Sequence, residues 1–162
     1  MRQHAPSLLR LTALFLTALG AGATPAQAAP LAETLVGSWT CRTQEGETTI
    51  AMTLDYRRSD DFLIGEIKED NGAALLDVWL DDGPSELILR RLVSYDATIE
   101  MQVVEEAPTW MALTGEMRHR LGSTAKVREE IRFTGTEEFR AIWEADSGDG
   151  WQLILDRTCR RI

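Results

Sequence analysis

The chain has 162 residues, with 17 Lys and Arg against 26 Asp and Glu, two histidines and two cysteines. A net charge of −9 excludes the basic footprint that supplies most nucleic-acid affinity, and it works against electrostatic docking on anionic membranes. We therefore expect no nucleic-acid partner, and the acidity itself reads as a solubility feature.

The N-terminus differs from the remainder. Arg2 and Arg10 make a positive start, residues 11–23 form a short apolar run, and Ala26-Gln27-Ala28 supplies the small-x-small pattern cut by signal peptidase. The run is shorter than the roughly 20 apolar residues that span a bilayer, so no transmembrane segment is expected. Residues 1–28 are read as a signal peptide and residues 29–162 as a single β-barrel domain. No cysteine sits near the cleavage point, so there is no lipobox, and the expected location is periplasmic or secreted. The leader holds two of the basic residues and none of the acidic ones. The remaining 134 residues thus carry 15 basic against 26 acidic side chains, a net charge of −11.

Residues 31–36 make one short helical candidate. Beyond them, turn signals recur about every ten residues: Glu45-Gly46, Asn71-Gly72, Asp82-Gly83-Pro84, Leu121-Gly122-Ser123, Thr134-Gly135 and Ser147-Gly148-Asp149-Gly150. Between the turns the hydrophobic period is two. Ile50, Met52, Leu54 and Tyr56 alternate with polar neighbours, as do Ile99, Met101 and Val103. Leu76, Val78 and Leu80 alternate with Asp77, Trp79 and Asp81, and Trp151, Leu153 and Leu155 with Gln152 and Asp156. This pattern predicts an antiparallel sheet with one wet face. Eight to ten such strands in one domain close into a barrel or fold into a sandwich.

Cys41 and Cys159 lie near the two ends of this domain, and an even pair in an exported protein reads as a disulfide. Bridged cysteines bring their Cα atoms within about 7 Å. The first and last strands then lie side by side, as they do in an antiparallel up-and-down β-barrel. Pairing Cys41 opposite Cys159 sets Arg161 across from Trp39 and Arg157 across from Thr43.

Catalytic chemistry finds little support. His119 lies in a basic patch before a turn, with no G-x-S-x-G or reactive-cysteine context. Adjacent acidic doublets such as Glu129-Glu130 point to opposite faces of a strand and share no site. The segment from Asp146 to Gly150 lacks the ligand spacing of a calcium loop. No enzyme activity, cofactor or metal is expected. Parity is more informative. Arg91 falls in the row Leu87, Leu89, Val93, Glu129 in the row Val127, Ile131, Phe133, and Arg157 in the row Leu153, Leu155, Cys159. Read so, all three charges point inward, where they must be paired or wet. The other reading is that bulges flip the parity or that the residues meet solvent at strand ends. Of five tryptophans, Trp39, Trp143 and Trp151 fall on apolar faces, whereas Trp79 and Trp110 fall on polar ones and suggest a contact surface.

A helical turn followed by Gly37-Ser38-Trp39 at the first strand resembles the opening of the lipocalin and related calycin barrels. The resemblance implies a tryptophan at the closed base with a late-strand arginine packed across it, here Arg161 or Arg157. Haem-binding relatives with a similar opening use a late histidine, which this chain lacks. The expectation is a lipocalin-like barrel that binds a small apolar or amphipathic ligand, fatty-acid-like in character, through Arg91, Glu129, Arg157 and Trp39. The alternative is a protein-binding module, such as an inhibitor of a secreted protease.

Overall fold

The alternating segments form strands in the computed structural model, which describes residues 31–45, 48–81, 87–93 and 97–162. The expected signal peptide, the whole Asp82-Gly83-Pro84 turn and Gly46 lie outside those residues. A 3-10 turn at Leu31–Leu35 precedes ten strands: β1 Gly37–Glu45, β2 Thr48–Ser59, β3 Phe62–Glu69, β4 Ala74–Asp81, β5 Leu87–Val93, β6 Ala97–Ala107, β7 Trp110–His119, β8 Thr124–Phe133, β9 Glu138–Asp146 and β10 Gln152–Arg161. Each pairs antiparallel with its neighbour in sequence, and β1 pairs with β10, so the sheet is a closed up-and-down barrel. Closure leaves no unpaired edge.

The seam has the expected register. Cys41 is opposite Cys159 and bonded to it, Trp39 is opposite Arg161, and Thr43 is opposite Arg157. The bond encloses a sequence separation of 118 residues, which on the chain-entropy account contributes up to about 5 kcal/mol. It also points to a non-reducing environment.

The base is closed around Trp39. Its indole N–H donates to the carbonyl of Leu35 at 2.7 Å, and Phe139 meets its ring edge-on at 4.8 Å. The Arg161 guanidinium stacks over the indole at 4.2 Å while donating to the carbonyls of Val36, Thr34 and Thr136. One arginine thereby ties the 3-10 turn, β10 and the β8–β9 connection together. Gly37 makes this possible. Its φ is +126°, and a Cβ there would lie 2.3 Å from Arg161 Nη1. The Gly-x-Trp opening is therefore a space requirement of the base.

Two readings of parity need correction. On β4, Asp77 and Trp79 point inward and are buried, while Leu76, Val78 and Leu80 face outward, half-buried. The outer row packs against outward neighbours, Val78 beside Ile64 and Leu76 beside Leu92. Asp77 turns inward because Arg91 is its partner across β5. Trp79 therefore offers no contact surface, and Trp110 is half-buried, with Arg132 5.4 Å from its ring. On β10, the pairing with β9 shifts between Leu153 and Leu155, a bulge that turns Trp151 and Leu153 out of the core. Trp151 is 41% exposed, beneath Arg128 at 4.3 Å.

Because Trp39 is fully buried and anchors three elements, Trp39→Ala is expected to destabilise the barrel by about 3–5 kcal/mol in urea denaturation. A loss below about 1 kcal/mol would mean that the base is not closed by this contact.

Candidate functional site

Strand parity brings Arg91, Glu129 and Arg157 into the barrel, each no more than 2% exposed. They reach one another from β5, β8 and β10, and two residues that the sequence reading did not single out complete the group. Arg91 makes a two-pronged contact with Asp77, Nε to Oδ1 at 2.7 Å and Nη2 to Oδ2 at 3.1 Å. Its Nη1 donates to Glu129 Oε2 at 2.9 Å. The Tyr56 hydroxyl donates to Asp77 Oδ2 at 2.7 Å. Gly65 admits the Tyr56 ring, because a Cβ there would fall 2.1 Å from Cε1. The ring occupies the space over Gly65 and delivers its hydroxyl to the carboxylate.

The other end of the chain of charges is looser. Arg157 Nη2 is 3.5 Å from Glu129 Oε1, and its Nε makes no hydrogen bond. The two carboxylates and two guanidiniums balance in charge, but the donors are not all used. The buried indole N–H of Trp143 also has no partner. Arg91, Arg157 and Trp143 all line a cavity of about 420 Å³, within the usual range of ligand sites. Its walls include Ile50, Met52, Ile67 and Leu75. Asn71, in the β3–β4 turn, and Leu153, at the start of β10, place its mouth at the hairpin end, opposite the base. The interior thus offers aliphatic walls and cationic or N–H donors on its floor, with the carboxylates already engaged.

The protonation states follow from this packing. Burial pushes the Tyr56 hydroxyl well above its ordinary value, and the adjacent Asp77 charge adds to the effect. Burial alone would weaken the hold of Arg91 on its proton, but Asp77 and Glu129 reverse that and keep it firmly charged.

Trp39 is not part of this group. It lies at the closed base, against Leu35, Phe139 and Arg161, and it does not line the cavity. His119 is exposed, and Glu130 faces away from Glu129 to pair with Arg132. Asp146 Oδ1 accepts from the backbone N–H groups of Gly148 and Gly150, so the carboxylate of the 146–150 segment closes a turn. Asp77 was hidden because its strand has an apolar residue at every second position on the other face. Its pairing with Arg91 across the β4–β5 hairpin was the only signal, and it needed the register.

No family model and no curated protein matches the chain. Among solved structures it is similar to Rv2717c from M. tuberculosis, with a TM-score of 0.65 at 12% identity, over 81% of this chain and 94% of that one. A structure of EF1p2_mFAP2b bound to DFHBI matches at a TM-score of 0.39 and 14% identity, over 81% of this chain and 96% of that one. The first likeness shows the barrel architecture and nothing finer.

Since the folded state holds the Tyr56 proton more tightly than the unfolded chain does, stability is full below the ordinary tyrosine value of about 10 and falls as pH rises past it. Tyr56→Phe should cost about 1–2 kcal/mol at neutral pH by taking a donor from Asp77. The variant should also lose less stability on going alkaline. Urea denaturation of both proteins across that range checks the point, and parallel alkaline curves would contradict it.

Proposed function

We propose that this is an exported, lipocalin-like, non-enzymatic barrel that binds a small amphipathic ligand, an apolar chain with an acidic head. The observation that carries the reading is the state of Arg157. A guanidinium buried to 2% exposure has one long contact and an unused Nε, at the floor of a cavity walled by aliphatic side chains. A buried cation left short of partners costs stability, whereas apolar replacements of such groups are often neutral or better. A carboxylate meeting Arg157 and the Trp143 N–H would satisfy both. In this reading Asp77 and Glu129 hold Arg91, which in turn holds Glu129 in place, and Arg157 is the residue that takes the ligand.

Trp79, one of the two tryptophans expected on a contact surface, is buried, and this weakens the protein-binding alternative. It becomes the preferred reading only if the cavity proves unoccupiable.

A panel of saturated fatty acids titrated into the purified protein, followed by tryptophan fluorescence, tests the proposal. Saturable binding is expected. Arg157→Met should weaken it by about 10–100-fold, the equivalent of a lost charge-assisted contact of about 1.5–3 kcal/mol. Arg91→Met should instead cost about 3–5 kcal/mol of folding stability, because it strands two buried carboxylates. Binding unchanged in Arg157→Met would move the head group elsewhere, and no binding of any acid would reject the proposal.

A further inference from the structure

Resting on that reading, we propose that the acid enters head first and that its chain leaves the cavity over an apolar lip formed by Leu153 and Ile154 of β10, which is a second part of the binding site. Three features of the cavity lead there.

The first is depth. Arg157 lies three residues beyond Ile154 on β10, about 10 Å along the strand toward the base at roughly 3.3 Å per residue. Trp143, across the β9–β10 ladder at Leu155, lies on the same inner side of the lip. Past Arg91, the interior is filled by Tyr56, Asp77, Trp79 and Leu89, all buried. The donors therefore form the floor, and a head group on them directs its chain outward to the mouth.

The second is the shape of the mouth. The bulge between Leu153 and Leu155 sets two large aliphatic side chains at the rim, 60% and 49% exposed, and both line the cavity. A long acyl chain whose head sits at Arg157, about 10 Å along β10 from Ile154, reaches the rim of this cavity before it ends. Its outer end must lie on something, and Leu153, Ile154 and Leu155 give it an aliphatic surface on β10.

The third is charge. Another part of the rim carries Glu69, whose carboxylate accepts from the Asn71 amide at 2.8 Å. That carboxylate repels an acidic head lingering at the mouth and gives an emerging chain no apolar support. The β10 lip is the favourable exit.

The inference distinguishes chain lengths. Octanoate, dodecanoate and hexadecanoate are to be titrated calorimetrically into the wild-type protein, into Arg157→Met, and into a double variant, Leu153→Ser with Ile154→Ser. Both lip residues are largely exposed, so the double variant should fold, which its thermal unfolding checks. Each methylene withdrawn from water is worth about fourfold in affinity, so wild-type affinity should climb along the whole series. In the double variant the loss should grow with length, to about tenfold or more for hexadecanoate and to a small fraction of that for octanoate. A loss equal for all three acids, or none for hexadecanoate, would overturn the lip while Arg157→Met still weakened binding and so upheld the cavity. Acids that bind to neither the wild type nor the variants would overturn both.

Discussion

The pairing of β1 with β10 governs everything inside the barrel. An open ten-stranded sheet would twist away from itself and expose a row of backbone donors and acceptors at each edge. Joining the ends removes both edges and creates a single interior whose contents are set by parity along every strand. The seam also aligns that interior. With Cys41 opposite Cys159, Trp39 faces Arg161 two residues toward the base, and Thr43 faces Arg157 two residues toward the mouth. A slip of one residue would send both arginines to the outside. One register thus fixes the clamp at the bottom and the cation at the floor of the cavity.

Inside, the protein treats its two arginines differently. Arg91 is saturated: Asp77 takes two of its N–H groups and Glu129 a third, with Tyr56 closing the far side of Asp77. Arg157 has the weaker share of Glu129 and keeps an unbonded Nε. Local chemistry explains the contrast. Arg91 has a carboxylate directly opposite on the neighbouring strand, whereas Arg157 is flanked by Thr43 and Ala141, which offer it no charge. Arg91 belongs to the scaffold. Arg157, with equal burial and fewer partners, is where binding energy remains to be gained.

Much of this is legible in the sequence, and the parts that are not share a cause. Turn signals and period two were enough for an antiparallel all-β domain, and the cysteine pair decided for the closed barrel and gave its seam and register. The parity of Arg91, Glu129 and Arg157 was readable because apolar residues of unmistakable size flank each of them in the same row. On β4 both rows carry large apolar residues, Leu76, Val78 and Leu80 in one and Trp79 in the other, so hydrophobicity alone chose the wrong face. The deciding term was the attraction between Asp77 and Arg91, which acts across strands and leaves no periodic trace. On β10 a single extra residue at the bulge reversed Trp151 and Leu153 relative to Arg157. Bulges have no dependable one-chain signature, since they are a property of the pair. The lip of the cavity was invisible for the same reason.

The 118-residue span of the disulfide gives the molecule an unusual response to tension. Nearly the whole barrel lies within a covalent ring, and only short lengths of described chain lie outside it at either end. A pull applied at those ends loads the seam pairs on the base side, Trp39 with Arg161 and Thr40 with Arg160, and beyond them runs through the sulfur–sulfur bond. The β1–β10 pairs beyond the bond, Arg42 with Thr158 and Thr43 with Arg157, carry almost none of the load. In the oxidised protein the fold is mechanically shunted. Reduction hands that load to the backbone hydrogen bonds of the seam, so the same domain becomes extensible once its two thiols are freed.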